Sequence, residues 1–296
     1  APAAGASAPL AGAASVPAST APAVASIGAS AVPGTPAPAA PAAREKIEVT
    51  TDVYRLTFDG EGGSLTHAEL LKHADMTDKA KNFVLFDEST QRVYAAQTGL
   101  IGGSFPTHKT VMTAVPGPRS LKDGENELTI RFESPEQGGV KLVKTWTLKR
   151  GAYDIAVKHE VVNVGSTAVS PQLYLQLVRD GNKPPGESSF YSTFTGPAVY
   201  TDAKKYQKIE FKDIENGKVD IPKESPNGYV AMVQHYFASA WLLADSVQRE
   251  LFTRKVSDNL YSVGMITPLG NIDPGTTKVV DARLFAGPQV ETMMEK

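Results

Sequence analysis

The sequence predicts an all-β protein whose strands form a large two-sheet sandwich. Period-two alternation is the first observation: Leu128, Ile130 and Phe132 alternate with polar residues, and residues 153–161 repeat the pattern. Such alternation places one set of side chains in a core and the other set in solvent. Turn signals that contain glycine, asparagine or proline recur at short spacing, with almost no amphipathic helix between them. This arrangement favours a sandwich over a fold of alternating strands and helices.

Further strands are predicted where β-branched and aromatic residues run between turn signals. In chain order they cover residues 46–51, 53–58, 64–71, 140–149, 169–178, 206–211, 229–237, 238–243, 250–256, 260–266 and 277–285. Turn residues separate several of them, as at residues 60–63 (GEGG), 226–228 (PNG) and 273–275 (DPG). The charged part of the chain could form one large β domain, which over residues 45–287 would need two large, strongly curved sheets, or it could form two domains of ordinary size.

The N-terminal part of the chain has a different composition. Residues 1–43 contain no Asp, Glu, Lys or Arg, whereas they contain 19 alanines and 8 prolines. Such a segment buries too little apolar surface to offset the entropy of ordering the chain, and its prolines interrupt any alanine helix. We predict that residues 1–44 are a disordered Ala/Pro-rich linker.

The last nine residues favour a helix. Pro288 follows a glycine and precedes strong helix formers, which is typical of the first helical position. Val290, Met293 and Met294 would then share one face of the helix. We predict that residues 288–296 begin a C-terminal helix, too short to be stable without packing on another surface.

Composition excludes several classes of function. The 296 residues include no cysteine, which rules out disulfides, thiolate metal sites and cysteine nucleophiles. A net charge of −2, from 30 basic and 32 acidic residues, offers no electrostatic footprint for nucleic acid. No apolar run approaches the roughly 18 residues needed to cross a bilayer, so we expect the chain as given to be soluble.

The histidines are the strongest candidates for chemistry, yet they form no recognisable motif. The stretch that contains His67, Glu69 and His73 lacks both the cysteine partners of zinc deaminases and the spacing of helical zinc motifs. His159 shares an apolar strand face and is expected to be a satisfied core histidine. His235 lies in the predicted strand 229–237 and is expected in the core or at its edge. We predict no metal site, no cofactor and no catalytic residue.

Nucleophile and phosphate motifs are also missing. Residues 62–66 (GGSLT) have threonine where a nucleophile elbow requires a second glycine. Residues 60–63 and 99–103 lack the Gly-Lys-Ser/Thr ending of a phosphate-binding loop. The basic run 204–208 is too small for a nucleic-acid surface and suits a solvated edge strand.

An ordered set of segments nevertheless resembles one family. The set comprises residues 51–58 (TDVYRLTF), 62–63 (GG), 67–71 (HAELL), 94–100 (YAAQTGL), 148–153 (LKRGAY), 194–200 (FTGPAVY), 205–206 (KY), 211–214 (FKDI), 228–241 (GYVAMVQHYFASAW) and 284–288 (LFAGP). In this order they resemble the large periplasmic domain of the bacterial YidC membrane protein insertases. The resemblance covers nearly all of residues 45–296.

The resemblance implies a galactose mutarotase-like β-supersandwich with a short C-terminal helix. It implies a location on the periplasmic side of the bacterial inner membrane, with the transmembrane core of the insertase outside this chain. It further implies a non-catalytic role in inserting and folding membrane proteins, through contact with Sec translocon subunits and nascent membrane proteins. The candidate docking residues are Gly287, Pro288, Val290, Met293 and Met294.

Two alternatives remain at this point. The implied fold is shared with sugar-active proteins, so the chain could be a mutarotase- or epimerase-like enzyme, or a carbohydrate-binding module. Fold alone does not decide function. The enzyme requires a general acid and a general base that converge on one substrate position, and the sequence does not indicate such a pair.

Overall fold

The computed structural model describes residues 44–188, 190 and 193–289, which all lie in one compact unit, Pro41–Lys296. Their regular elements are β1 (Lys46–Thr50), β2 (Tyr54–Asp59), β3 (Ser64–Ala74), β4 (Asn82–Glu88), β5 (Val93–Ile101), β6 (Thr113–Ala114), β7 (Glu127–Glu133), β8 (Val140–Lys149), β9 (Asp154–Asn163), β10 (Gln172–Asp180), β11 (Gly196–Thr201), β12 (Lys205–Lys208), α1 (Phe211–Glu215), β13 (Glu224–Ser225), β14 (Tyr229–Val233), β15 (Phe237–Leu243), β16 (Arg249–Ser257), β17 (Leu260–Pro268) and β18 (Thr277–Pro288). Within these residues no helix is long and apolar enough to cross a bilayer.

The strands form two nine-stranded antiparallel sheets. Sheet 1 has the order β1-β2-β3-β4-β5-β10-β17-β16-β13, and sheet 2 has the order β12-β11-β14-β15-β18-β9-β8-β7-β6. Two central strands pair with neighbours that are distant in sequence. In sheet 1, β10 lies between β5 and β17, and in sheet 2, β18 lies between β15 and β9. The predicted all-β supersandwich is therefore confirmed.

Aromatic side chains fill the space between the sheets. Trp146 and Trp241 are fully buried, with ring centroids 6.2 Å apart, and Phe58 contacts Trp146 at 5.1 Å. The indole of Trp241 in sheet 2 donates a hydrogen bond to the Gln176 carbonyl in sheet 1 at 3.0 Å. This bond satisfies a buried donor and fixes how the two sheets face each other.

Several strand boundaries differ from the prediction. Residues 82–88 and 93–101 were not predicted as strands, and β5 shows no clear alternation because six of its nine residues are buried. Residues 234–236 form a turn between β14 and β15, inside the predicted strand 229–237. The predicted strand 206–211 ends at Lys208, and Phe211 begins the short helix α1.

The folded domain extends slightly beyond both predicted boundaries, 45 and 287. Residues 1–43 of the predicted linker lie outside the described residues, but Arg44 belongs to the folded domain because its Nε lies 2.9 Å from Oδ1 of the buried Asp59. At the other end, Pro288 is the last residue of β18 and pairs with Phe237, so it does not begin a helix. Proline is tolerated there because a strand end requires no further donor. Residues 290–296 lie outside the described residues.

One lysine crosses the interior between the sheets. Lys144 on β8 is fully buried, and its Nζ donates hydrogen bonds of 2.6 Å to the carbonyls of Gly62 and Thr98. Burial lowers the Lys144 pKa to about 7. Two carbonyl acceptors match the two hydrogens of a neutral amine, which agrees with that direction.

One arginine organises the loops that connect the two sheets. The Arg249 side chain is 1% exposed and donates to five carbonyls, which belong to Pro226, Gly228, Leu243, Ala244 and Val247. Burial lowers the pKa of this guanidinium from its ordinary value. The planar, many-donor group satisfies turn carbonyls that no regular strand pairing reaches.

Lys144→Met should remove a component of the pH dependence of stability. The folded pKa is lowered relative to the unfolded chain, so between pH 7 and 10.5 the unfolded state binds the extra proton and stability rises with pH. We expect the free energy of unfolding of the wild type to gain about 2–3 kcal/mol more than that of the variant between about pH 7 and 9. Urea denaturation across pH measures this, with the exposed Lys141→Met as control. Equal slopes for wild type and Lys144→Met would contradict the assignment.

Arg249→Lys should destabilise the fold although it conserves charge. Lysine offers three donors from one atom and leaves several buried carbonyls unpaired, so we expect a loss of at least about 2 kcal/mol. Arg254→Lys on the same strand, at an exposed position, should change stability by less than about 0.5 kcal/mol. Urea denaturation compares the two. Similar losses for both variants would show that the carbonyl contacts of Arg249 add no stability.

Candidate functional site

The candidate docking residues that the structure describes lie at the end of β18. Gly287 pairs with Ala238, and Pro288 pairs with Phe237. Gly287 is buried, and a Cβ at this position would lie 2.7 Å from the ring of Tyr153. Gly287 therefore serves close packing, which leaves Pro288 as the more accessible of the two. Val290, Met293 and Met294 lie outside the described residues.

Gln289 anchors the point where the chain leaves the described domain. Its backbone N–H donates to the Tyr236 carbonyl at 2.8 Å. Its side-chain Nε2 donates to the backbone carbonyls of Gln234 and Phe237 at 2.5 and 3.2 Å. Three hydrogen bonds therefore hold this residue to the turn between β14 and β15. A contact made by the residues that follow would be transmitted directly to this turn.

Sheet 1 holds the same turn from the opposite side. The buried Arg179 on β10 donates from Nη1 to the side-chain oxygen of Gln234 at 3.0 Å and lies 5.0 Å from the centre of the Tyr94 ring. Burial lowers the pKa of the Arg179 guanidinium from its usual value. Tyr54 on β2 donates to the carbonyl of Ala286, just before the end of β18. The C-terminal end of the domain is thus attached to both sheets.

Beside this end lies a small apolar cavity of about 210 Å³, which we call the exit pocket. Its lining residues are Met76, Phe83, Pro184, Pro185, Gly186, Glu187, Ser188, Gln234, His235, Tyr236 and Phe237. Phe83 and Phe237 stack with centroids 3.8 Å apart and form a rigid apolar wall. Met76 and Tyr236 are 43% and 55% exposed, so the pocket presents apolar surface to solvent. The pocket can receive one apolar side chain of a partner.

Sequence reasoning did not find the exit pocket. Its residues come from β4, two loops and the β14–β15 turn, so they are brought together by folding and not by spacing. His235 is one of them, and its expected core position is wrong because it lies exposed in the turn. The sequence Gln-His-Tyr at 234–236 has no glycine or proline to signal a turn.

The other histidines lie apart from one another. His159 is fully buried, as predicted, and its Nε2 lies 2.9 Å from the Thr98 hydroxyl, whereas its Nδ1 has no hydrogen-bond partner. Burial, reinforced by the nearby Lys144, lowers the His159 pKa to about 3. His73 contacts the rings of Tyr153 and Phe237. His67 instead contacts Asp87, so the two histidines of β3 have different neighbours.

One histidine in the described part of the chain contacts a carboxylate. His67 Nδ1 lies 3.2 Å from Asp87 Oδ1, and both side chains are about one-third exposed. Glu69 instead bonds to Arg55 and Asn82. Over residues 44–188, 190 and 193–289, no group of three or more His, Asp or Glu side chains is placed to hold a metal ion.

Two solved structures that share this architecture are described as galactose mutarotase-related or galactose mutarotase-like. A galactose mutarotase related enzyme from Lactobacillus acidophilus superimposes with a TM-score of 0.51 at 8% identity, covering 83% of this chain and 100% of that one. A galactose mutarotase-like protein from Clostridium acetobutylicum gives a TM-score of 0.50 at 7% identity, covering 82% and 95%. At such identities the likeness establishes the fold alone.

Sequence relatives are much closer. The membrane protein insertase YidC of Janthinobacterium sp. (strain Marseille) is 50% identical over 256 residues, which are 86% of this chain and 45% of that protein. The membrane protein insertase YidC of Ralstonia nicotianae is 49% identical over 281 residues, covering 95% of this chain and 49% of the relative. The chain therefore spans about half the length of these relatives.

A family model described as the YidC periplasmic domain matches residues 46–296, which include every strand of the structure. The match begins at the first residue of β1, two residues after the Arg44 contact with Asp59. It covers both sheets and the anchored end at Gln289. This chain belongs to the family of periplasmic domains of the inner-membrane insertase YidC.

Proposed function

We propose that this domain is the non-catalytic periplasmic part of a membrane protein insertase. In this role it supports the insertion and folding of inner-membrane proteins together with the Sec translocon, by contacting partner subunits or nascent clients. The observation that carries the proposal is the anchoring of Gln289 to the β14–β15 turn, beside exposed apolar side chains. The relatives are about twice as long as this chain and are named membrane protein insertases.

The exit pocket supports a contact role. Met76 and Tyr236 expose apolar surface within one cavity, and methionine adapts to side chains of varied shape. Two prolines and a stacked aromatic pair keep the rest of the lining rigid, which limits the entropy lost on binding. A partner could insert one large apolar side chain here and contact the Gln289 anchor at the same time.

The distribution of titratable groups supports a non-catalytic role. Sugar isomerisation requires an acid and a base on either side of one substrate position. His159 is buried between the sheets, His235 lies in the β14–β15 turn, and His67 lies beside Asp87 with both side chains about one-third exposed. These three histidines lie on separate parts of the fold and share no reaction centre.

A photo-crosslinking side chain at Tyr236 should report the partner directly. In the full-length insertase, expressed in cells, we expect crosslinks from position 236 to Sec translocon subunits or to nascent inner-membrane proteins. The reason is that Tyr236 is exposed at the exit pocket and its carbonyl holds Gln289. Immunodetection of the crosslinked products provides the measurement.

Val164 provides the matched control for this experiment. It is 47% exposed and lies just beyond β9, at the end of sheet 2 far from Pro288. The same crosslinker at position 164 should give at most weak products. Equal products from the two positions, or none from position 236 while clients are being inserted, would refute a contact role for the exit pocket.

A further inference from the structure

A second concave site lies on the outward face of sheet 1, and we call it the sheet-1 groove. It has a volume of about 320 Å³. Its lining residues are Ile101, Thr107, His108, Lys109, Tyr174, Gln176, Phe252, Arg254 and Ile266. The strands β5, β10, β16 and β17 form its floor, and residues 107–109 form one wall. It lies near the Gln172 end of β10, whereas the exit pocket lies near the opposite end.

A tyrosine–histidine pair builds the wall of this groove. Tyr174 is 6% exposed, and its hydroxyl accepts a hydrogen bond from the His108 amide at 2.9 Å and lies 2.6 Å from His108 Nδ1. Gly99 makes this approach possible, because a Cβ at that position would lie 2.3 Å from the Tyr174 hydroxyl. Three separate segments therefore meet at one preorganised point.

The hydrogen-bond pattern favours one tautomer of His108. The His108 amide donates to the phenol oxygen of Tyr174, which leaves the phenol proton able to bond to His108 Nδ1. A neutral His108 then carries its hydrogen on Nε2, as a donor. Burial, with smaller effects from Lys144, Lys109 and Arg254, lowers the His108 pKa to about 4, so the ring is neutral near pH 7.

Two cations complete the polar part of the groove. Lys109 and Arg254 are exposed at its edge, and no acidic residue is among the lining residues that the structure describes. Glu250 lies on the same face of β16, but beyond Phe252 and outside the lining. The net charge of the chain is −2, yet the two charged residues of this lining, Lys109 and Arg254, are both cationic. The groove is therefore complementary to an anionic ligand.

We propose that the sheet-1 groove binds an acidic peptide segment, in which a carboxylate lies next to an apolar side chain. The carboxylate would receive hydrogen bonds from Arg254, Lys109 and His108 Nε2. The apolar side chain would cover Phe252, Ile101 and Ile266. The volume of about 320 Å³ is at the small end of ligand sites, which suits a few residues of a peptide and not a large cofactor.

The mixed lining favours a peptide over a free carboxylate. Cationic side chains lie beside the apolar side chains of Ile101, Phe252 and Ile266, so a ligand that carries both a carboxylate and an apolar group matches the groove. Its apolar floor contributes nothing to a ligand without an apolar part. The proposal is independent of the exit pocket, because its lining shares no residue with that cavity.

Two capped dipeptides test the proposal with the full chain near neutral pH. N-acetyl-Leu-Glu-amide should shift the backbone amide NMR signals of His108, Tyr174 and Ile101 in a saturable manner. N-acetyl-Leu-Gln-amide has the same shape without the charge and should bind about threefold to fivefold more weakly, as expected for loss of a partly exposed ion pair. The long-range ¹⁵N spectrum of His108 should show the hydrogen on Nε2.

Arg254→Gln is the decisive variant, and Lys278→Gln is its control. Arg254→Gln should weaken binding of the Leu-Glu peptide about threefold and reduce the discrimination between the two peptides, leaving only the part that Lys109 and His108 contribute. Lys278 is an exposed residue of β18 in the other sheet, so the same charge change there should leave both affinities unaltered.

Several results would overturn the proposal. One is equal affinity for the two peptides, and another is equal behaviour of the two variants. Shifts confined to other residues, or no shifts up to about 10 mM peptide, would place no peptide site here. Sodium acetate that produces the same shifts at the same concentration would reduce the groove to a general anion site.

Discussion

The position of strand β18 is the constraint on which the rest of the structure depends. Sheet 2 consists of two groups of strands, and β18 is the strand that pairs with both; the groups are β11, β12, β14 and β15, and β6 to β9. Its partner residues lie as far apart in sequence as Asp154 and Phe237. Closing such separations costs conformational entropy, which the buried residues Leu284, Phe285 and Ala286 help to offset. The last described strand therefore joins sheet 2 into one surface.

This topology makes the C-terminal end of the domain resistant to being pulled away from the sheet. A strand at the edge of a sheet could peel away under load, but β18 is hydrogen-bonded along both sides. Gln289 extends the attachment to the β14–β15 turn, and Arg179 connects that turn to sheet 1 through Gln234. A force applied at Gln289 would therefore be borne by both sheets and not by a single strand.

Sequence reasoning was most successful where one strand face meets water. The strands β7 and β9 were predicted from alternation because their alternate side chains are exposed. Alternation disappears in β5, β14 and β15, which are buried on both faces. The turn at 234–236 was missed because its residues include no glycine or proline. The helical signal at Pro288 was local, whereas pairing with Phe237 extends β18 to that residue.

The sites were harder to predict than the strands, because their residues are far apart in sequence. Tyr174 and His108 are 66 positions apart, and Arg179 reaches Gln234 across 55 positions. Lys144 looks like any polar strand residue, yet it bonds to carbonyls of the opposite sheet. The family resemblance identified the domain as a whole, but it pointed to the C-terminal residues and to neither the exit pocket nor the sheet-1 groove.

Strand β10 contributes to both sites, and its packing indicates how they relate. Tyr174 and Gln176 face the sheet-1 groove, and Leu175 and Leu177 face the core. Arg179 bonds to Gln234 in the β14–β15 turn, which lines the exit pocket. A close-packed interior transmits change only if some element has two discrete arrangements. Between the groove and the exit, β10 is paired on both sides in continuous register. Such a strand acts as a rigid spacer, so a ligand in the groove and a partner at the exit should bind independently of each other.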